Sequence, residues 1–467
     1  MYLHRSWSTT MRAQHKSNEV SPGSLTYMTP ETRHFSTGSL VRGLRRSKFA
    51  RSATWMFHGQ GIQLLSQFAY FIAVAHALGP KGYGTFVACT AVVMVLAPFG
   101  PWGAGQVMMK YAARRRETLP TYFGNAIAIT LFSGTILGAI LLLLRPYILP
   151  PSVPVLMLAS VAFADLICTQ LTAVCSLAFM ALDLHRKSAQ VLITSSVLRV
   201  VASLILLATS SSAAVWAYLY LSAAIISVVI QIFQVARASS APRVQLVLLR
   251  KSFREGFHFA TSSSAQTIYD NIDKGMLARL SSVEAAAIYA VAYRFVDASV
   301  LPIRSLAAAT YPEFFRKGEG GVSAAFDFAK RILRKSVVYG LMASILLYLF
   351  AGFVPVVMGH KFAESAVALR WLCPLPFIKS IHAFLNDTLT GGDQQAARSV
   401  TQLSLAGFNI LINLWLIRVF SWRGASVSSI ITDLGLAISL YIVIRWYLRK
   451  ESASRERGMP AVETVAS

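Results

Sequence analysis

Charged residues interrupt two apolar helices in the segment DNIDKGMLARLSSVEAAAIYAVAYRFVDASVLPIR, which spans residues 270–304. This segment belongs to a pair of predicted membrane helices between about residues 254 and 312. One charge at the middle of a bilayer-spanning helix costs about 2.5–3.5 kcal/mol, and such charges are kept where they face a watery cavity or pair with one another. They are therefore candidates for a transport pathway. The charges in question are Asp270, Asp273, Lys274, Arg279, Arg294, Asp297 and Arg304.

The rest of the chain has the composition of a membrane protein. Of its 467 residues, 55% are hydrophobic and only 14% are charged. A soluble protein of this length has about 25% charged residues and few long apolar runs. Here apolar stretches of about 18–25 residues recur from Trp55 to the C-terminus, and each can cross a hydrocarbon core about 30 Å thick. The sequence therefore predicts an all-α polytopic membrane protein.

About twelve transmembrane helices are predicted, arranged as two six-helix lobes around a central cavity. Their expected limits are 55–78, 83–104, 121–144, 153–178, 189–209, 213–236, 257–280, 284–310, 330–354, 364–388, 398–420 and 424–446. The predicted organisation is a disordered basic N-terminal tail (1–52), an N-lobe (53–236), a cytoplasmic inter-lobe loop (237–254), a C-lobe (255–448) and a cytoplasmic tail (449–467). The inter-lobe loop is expected to form an amphipathic helix on the membrane surface.

The net charge of +24 follows from the topology of the loops and not from nucleic-acid binding. Lys and Arg are concentrated in every second loop, as the positive-inside rule requires of cytoplasmic loops. The other loops hold only Lys81, Arg145, Lys361 and Arg423. We therefore predict cytoplasmic N- and C-termini, membrane lipids as partners and no nucleic-acid partner.

Two sequence motifs stand out from this apolar background. The first is Leu78-Gly-Pro-Lys-Gly-Tyr-Gly84, which predicts a tight turn because Gly permits unusual φ values and Pro fixes one. The second combines Asp273-Lys-Gly-Met-Leu277, Ile288-Tyr-Ala-Val-Ala-Tyr-Arg294 and Tyr311-Pro312. For the first motif, a short outside hairpin between two spans is favoured over direct contact with a substrate.

Together these motifs resemble the polysaccharide and O-antigen flippases of the multidrug/oligosaccharidyl-lipid/polysaccharide exporter superfamily. The likeness covers about residues 55–450, with Ala287 where the family pattern has Gly. The resemblance implies alternating-access transfer of a polyprenyl diphosphate-linked oligosaccharide from the inner to the outer leaflet of the bacterial cytoplasmic membrane. It also implies a role in cell-surface or exopolysaccharide biosynthesis, with a polysaccharide polymerase and co-polymerase as further partners.

Deep cations are the expected binding groups for the phosphates of such a substrate, because Arg binds phosphate through paired donors and Lys acts as a point charge. The candidates are Arg199, Lys274, Arg294, Arg304 and Lys379. The alternative interpretation is that the charges form internal ion pairs that hold the helices together. It predicts the pairs Asp270–Lys274, Arg294–Asp297 and Asp165–Arg199, and also structural pairing of Asp433.

Coupling to H⁺ or Na⁺ is a further hypothesis, since a desolvated carboxylate can bind either ion. Asp273 is the first candidate, followed by Asp270, Asp297 and His382; the alternatives are ion pairing for Asp273 and a packed, hydrogen-bonded role for His382. No catalytic residue, metal ligand set or organic cofactor is predicted. The four cysteines lie inside apolar segments at no metal-ligand spacing.

Three other functions fit the sequence less well. A multidrug exporter of the same superfamily would carry organic cations and would need a carboxylate-rich cavity, whereas cations exceed acids here. A membrane-embedded polysaccharide polymerase would need a sizeable loop or domain with catalytic groups, and no nucleotide-binding or catalytic motif is found. A purely structural role in an envelope assembly does not explain the deep charges.

Overall fold

The computed structural model describes residues 48–209, 212–249, 252–253, 256 and 271–456. The chain divides into two units, Met1–Arg51 and Ser52–Ser467, and of the first the structure describes only residues 48–51. Most of the predicted basic tail therefore lies outside the described residues. Within them every regular element is helical. The main helices are α1 (Lys48–Leu96), α2 (Ala104–Arg114), α3 (Leu119–Ile148), α4 (Val155–Phe163), α5 (Thr169–Ala181), α6 (His185–Thr209), α7 (Ala213–Ala238), α8 (271–280), α9 (Val283–Gly318), α10 (Val322–Phe350), α11 (Val354–Met358), α12 (Ala363–Leu372), α13 (Leu375–Gly391), α14 (Gln395–Phe420) and α15 (Trp422–Glu456).

Nine helical segments within the described residues are long and apolar enough to cross a membrane. Three features account for the difference from the twelve predicted spans. The first two spans run on as α1, the seventh is described only from residue 271, and the tenth is divided between α12 and α13. The other predicted spans each coincide with a long helical segment. The predicted all-α polytopic membrane fold is therefore confirmed.

The break within α1 lies at the Leu-Gly-Pro motif. Gly79 has φ 63° and ψ −177°, which is not helical, and Pro80 follows it. The positive φ favours glycine, and the residue before a proline is disfavoured in the α region. The chain therefore turns between the first and second spans over a single residue, as the sequence motif indicates.

The second span is itself broken and is longer than the sequence suggests. A short 3₁₀ turn (Ala97–Phe99) and a bend at 100–103 lead into α2, so helical structure continues to Arg114 and not to residue 104. The hydroxyl of Ser133 donates a hydrogen bond to the carbonyl oxygen of Gly100. A neighbouring helix thus satisfies a backbone group that the Pro- and Gly-rich bend leaves free, which a membrane interior requires.

Helices of the first half of the chain pack mainly among themselves, and so do helices of the second half. The two halves make close contacts at an end that we call the closed end, which includes residues 79–84, Tyr147, 279–283 and 359–363. There a Cβ atom at Gly84 would lie 1.8 Å from the carbonyl oxygen of Val283. The rings of Tyr83 and Phe362 are 6.2 Å apart. Arg279 also donates a hydrogen bond of 3.1 Å to the carbonyl oxygen of Tyr147.

The inter-lobe segment is attached to the first half. The side chain of Asn125 forms two hydrogen bonds with the backbone of Gln245, one in each direction. The rings of Trp102 and Phe253 are stacked 4.7 Å apart and nearly parallel. Leu246 is exposed between these two attachments. The position of this segment at a membrane surface stays a prediction.

Candidate functional site

A cavity of about 250 Å³ lies between the two halves of the chain. Its walls come from both spans of α1, from α6 and α7, and from α8 and α9. The lining residues are Tyr70, Tyr83, Phe86, Val87, Thr90, Ala91, Met94, Arg199, Tyr220, Asn271, Lys274, Ala290, Tyr293, Arg294, Asp297 and Arg304. The structure thus brings four of the five predicted phosphate-binding cations into one cavity. Arg199 comes from the first half of the chain, and Lys274, Arg294 and Arg304 come from the second half.

Three of the four cavity cations each lie beside a carboxylate of the protein. The shortest nitrogen-to-oxygen distances are 3.7 Å for Arg199 and Asp165, 3.6 Å for Lys274 and Asp273, and 3.3 Å for Arg304 and Asp297. These pairs combine the two interpretations of the sequence, since the cations line the cavity and are also ion-paired. The Asp165–Arg199 pair is found as predicted.

Arg294 differs from the other three cavity cations. Among the described residues it has no carboxylate within salt-bridge distance, and the predicted Arg294–Asp297 pair is replaced by Asp297 with Arg304. Arg294 instead lies beside Tyr83 in the cavity wall, and its guanidinium is 5.9 Å from the ring centre of Phe71. It is also exposed to the cavity. Within the described part of the chain, Arg294 is therefore the cavity cation that lacks a direct salt bridge.

Asp165 is almost completely buried behind the cavity wall. It lies in a π-helical turn, Ala164–Cys168, between α4 and α5. Its Oδ1 atom accepts hydrogen bonds from the hydroxyl groups of Tyr220 (2.8 Å) and Thr169 (3.1 Å). Arg199 donates a hydrogen bond of 2.8 Å to Thr169 Oγ1. A hydroxyl group therefore connects the buried carboxylate to a cation of the cavity.

Asp273 occupies a comparable position in the second half. It is buried and accepts a hydrogen bond from the hydroxyl of Tyr289, which also contacts the hydroxyl of Ser429 at 2.8 Å. The ammonium group of Lys274 lies 4.5 Å from the centre of the Tyr293 ring, a cation–π distance. Asp273 thus lies one layer behind the cavity surface. Asp270, the other predicted coupling residue of this helix, lies outside the described residues.

Lys379 and His382 do not line the cavity. The ammonium group of Lys379 lies 3.2 Å from the carboxylate of Asp433, and both side chains are buried. The Nε2 atom of His382 is 3.5 Å from the other oxygen of Asp433. Lys379 nevertheless approaches the cavity wall, since its ammonium group is 5.8 Å from the ring centre of Tyr293. Asp433 is therefore in a structural ion pair, as the sequence indicated.

Aromatic side chains contribute much of the cavity wall, and sequence reasoning did not single them out. Phe86 lies edge-to-face against Tyr220 at 5.2 Å and next to Tyr83 at 6.5 Å. Tyr70 and Tyr293 complete the aromatic set. Tyr83 and Tyr293 belong to the two sequence motifs, whereas nothing in the sequence pattern distinguishes Tyr70, Phe86 and Tyr220 from other aromatic residues of the apolar spans.

A smaller cavity of about 140 Å³ adjoins the main cavity. Arg294, Asp297 and Arg304 line both cavities. The remaining walls are mostly apolar and come from the first span and α9: Gln67, Phe68, Phe71, Ala298 and Leu301. The cationic surface is therefore continuous with an apolar recess. Within the described residues no three His, Cys, Asp or Glu side chains are grouped so that they could hold a metal ion.

Comparisons with known proteins agree with this architecture. The family model of polysaccharide biosynthesis proteins matches residues 49–317, more than half of the chain. An inward-facing multidrug-resistance MATE transporter of the MOP superfamily superimposes with a TM-score of 0.66 at 16% identity, covering 86% of this chain and 96% of the transporter. The outward-facing form of such a transporter gives a TM-score of 0.58 at 16% identity, covering 89% and 98%.

A MOP superfamily transporter from Pyrococcus furiosus, described as having a binding pocket of reversed polarity, gives a TM-score of 0.57 at 15% identity, with 89% and 98% covered. No curated protein matches the sequence. At these identities the structural matches establish the fold. The family match adds that the chain is related to polysaccharide biosynthesis proteins. The molecule is a multi-pass membrane protein with the fold of these transporters, and the family resemblance of the two sequence motifs is confirmed. The chain belongs to the family of polysaccharide biosynthesis proteins.

Proposed function

We propose that this protein moves a polyprenyl diphosphate-linked oligosaccharide from the inner to the outer leaflet of the bacterial cytoplasmic membrane by alternating access. The observation that carries the proposal is the cavity lining, which contains four cations and a single carboxylate among the described residues. An organic-cation exporter needs the opposite balance of charge. A cationic cavity within apolar helices instead suits an anionic group attached to a lipid.

Arg294 is the proposed main anchor for the diphosphate. A guanidinium can donate two parallel hydrogen bonds to a phosphate, and such charge-assisted bonds are roughly twice as strong as neutral ones. Arg294 has no carboxylate partner within the described residues to weaken this interaction. Arg199, Lys274 and Arg304 surround the same space and would share the remaining phosphate charge.

The other two parts of the proposed substrate also have complementary surfaces. Tyr70, Tyr83 and Tyr293 offer aromatic faces with hydroxyl groups, and Asn271 and Thr90 offer hydrogen bonds for a sugar. The adjoining cavity, with Phe68, Phe71 and Leu301, offers apolar surface for the start of the polyprenyl chain. An amphipathic ligand thus finds both kinds of wall next to one cationic centre.

The direction of loading follows from the closed end. Its loops are the ones that contain little Lys and Arg, so the positive-inside rule assigns them to the outside. The described structure would then accept substrate from the cytoplasm, with cytoplasmic N- and C-termini. Arg304 and Asp297 lie farther along α9 from the closed end and are the more exposed cavity ion pair.

Ion coupling remains part of the proposal, with Asp297 at the cavity and Asp273 and His382 behind its surface. Sodium ions and protons are both open as coupling ions. An inside-negative membrane potential itself favours outward movement of negative charge by about 2.3 kcal/mol per charge per 100 mV. A polysaccharide polymerase and co-polymerase are the proposed partners that use the product on the outer side.

The decisive experiment measures transport in proteoliposomes with an enzymatically accessible polyprenyl diphosphate-oligosaccharide. We expect the native chain to move the glycolipid and Arg294→Ala to lose most of that movement while folding normally. Arg423→Ala is the matched control, because Arg423 is an exposed arginine in a predicted outside loop. Export of organic cations without movement of any glycolipid would overturn the proposal and place the protein among drug exporters.

A further inference from the structure

We propose that the carboxylate of Asp165 competes with the phosphates of the substrate for Arg199 and thereby limits substrate affinity and speeds release. This inference rests on the proposed function, because it concerns how the same cavity holds an anion. Asp165 does not line the cavity and would act only through Arg199, so it is a positioning residue.

The geometry gives Arg199 two competing partners. On one side its Nη2 atom donates to Thr169 Oγ1 at 2.8 Å and lies 3.7 Å from Asp165 Oδ1. On the other side Arg199 lines the cavity. Its guanidinium also lies 5.3 Å from the ring centre of Tyr220, whose hydroxyl donates to the same Asp165 oxygen. Thr169 and Tyr220 thus join the cation and the carboxylate into one unit.

Asp165 is incompletely satisfied in this arrangement. Its Oδ2 atom is buried and has no hydrogen-bond partner in the described structure. The distance of 3.7 Å to Arg199 is also too long for a direct hydrogen bond. A buried carboxylate that lacks partners gains strongly from any nearby cation. Asp165 therefore stabilises Arg199 in its present position. A phosphate that binds Arg199 in the cavity must weaken this interaction, which lowers the affinity for the phosphate.

The burial of this pair distinguishes it from the other arginine pair of the cavity. The side chains of Arg199 and Asp165 are 19% and 4% exposed, whereas those of Arg304 and Asp297 are 52% and 35% exposed. Water screens the second pair and weakens its influence on a ligand. The π-helical turn that carries Asp165 is a local departure from α-helical geometry of the kind that often occurs at functional sites.

The test uses Asp165→Asn, which removes the charge but keeps a side-chain oxygen that can accept from Tyr220 and Thr169. Farnesyl diphosphate serves as the probe, and farnesol is the uncharged reference; binding to the purified protein is measured by calorimetry. We expect Asp165→Asn to bind farnesyl diphosphate about threefold to tenfold more tightly, since it removes an opposing charge close to Arg199. Binding of farnesol should not change.

A double-mutant cycle tests whether Asp165 acts through Arg199. In the Arg199→Gln background, Asp165→Asn is expected to have little further effect on affinity, because the shared cation is absent. Asp433→Asn is the matched control: it neutralises another buried carboxylate, whose partner Lys379 does not line the cavity. That control should leave farnesyl diphosphate affinity within about twofold of the native value.

Transport provides a readout that a merely structural role would not produce. In proteoliposomes Asp165→Asn should lower both KM and kcat for the glycolipid, because tighter binding slows release. Asp165→Ser is a second neutral replacement at the same position, and it should also tighten the binding of farnesyl diphosphate because it removes the same charge.

Equal or weaker binding of farnesyl diphosphate by both Asp165→Asn and Asp165→Ser would overturn the inference, provided that the native protein prefers the diphosphate to farnesol. Tightening that persists in the Arg199→Gln background would also overturn it, because the effect would then not pass through Arg199. No preference of the native protein for farnesyl diphosphate over farnesol would instead overturn the proposed function and, with it, this inference.

Discussion

Gly84 and Val283 bring the backbones of the two halves into direct contact, since a Cβ atom at Gly84 would lie 1.8 Å from the Val283 carbonyl oxygen. A backbone carbonyl cannot move aside as the end of a side chain can. Glycine is therefore required at this position for the closed end to close. A single methyl group added at Gly84 is therefore expected to change the conformational equilibrium of the protein.

Gly84→Ala is expected to shift the protein towards a conformation in which the closed end is open. Spin labels on cysteines that replace the exposed residues Lys81 and Lys361, in a background without the four native cysteines, would report a longer interlabel distance. Gly407→Ala is the control, because an added Cβ at Gly407 meets no atom within 4 Å. An unchanged distance in Gly84→Ala would show that the contact does not hold this end together.

Lys379→Met is expected to reduce stability more than ligand binding. It removes the ammonium group beside the buried carboxylate of Asp433, and breaking a buried pair costs about 3–5 kcal/mol. Thermal unfolding in detergent should show a large fall in Tm, and Lys379→Met combined with Asp433→Asn should recover most of it. A full loss of farnesyl diphosphate binding at unchanged Tm would instead assign Lys379 to the ligand site.

Arg294→Ala should weaken the binding of farnesyl diphosphate by about 2–4 kcal/mol, because it removes a charge-assisted, bidentate donor. Arg304→Ala should have a smaller effect, since Asp297 and solvent already compensate the charge of Arg304. Calorimetric titration of the two variants side by side measures the difference. A larger loss of affinity in Arg304→Ala would show that Arg304, and not Arg294, is the main anchor for the diphosphate.

Glu451→Ala should destabilise the second half without affecting the cavity. The carboxylate of Glu451 in α15 accepts hydrogen bonds from the backbone amides of Val322 (2.7 Å) and Ser323 (3.0 Å) at the start of α10. Loss of such a cap costs about 1–2 kcal/mol. The expected result is a lower Tm with native ligand affinity. Glu319→Ala, which removes an exposed carboxylate, should leave Tm unchanged.

Much of the fold could be predicted because a bilayer imposes simple rules on a sequence. Span length follows from membrane thickness, and the Gly79-Pro80 pair identifies the first turn by its backbone requirements. The second span was predicted too short. The Pro- and Gly-containing stretch 98–103 resembles the end of a helix, but helical structure resumes at Ala104 because Ser133 of a neighbouring helix satisfies the break.

The sequence identifies charged residues inside apolar spans as candidates for the site. It does not show which of them face the cavity and which pair with a residue of another helix. Arg199, Lys274, Arg294 and Arg304 are conspicuous in apolar spans, and all four reach the cavity. Lys379 looks the same in the sequence, yet it faces Asp433 because α13 and α15 are neighbours in the fold. The periodicity of a sequence shows which residues share one face of a helix. Which other helix that face contacts is decided by tertiary packing.

The pairing of three cavity cations with protein carboxylates has an electrical consequence for a transport cycle. When the cavity is empty, carboxylates of the protein compensate most of its positive charge. The protein can then change conformation with little electrical work against the membrane voltage. The same cavity carrying a diphosphate presents excess negative charge, which an inside-negative voltage drives outward. The voltage would then accelerate the loaded half of the cycle and leave the return half almost untouched, so that direction arises from the charge of the cargo itself.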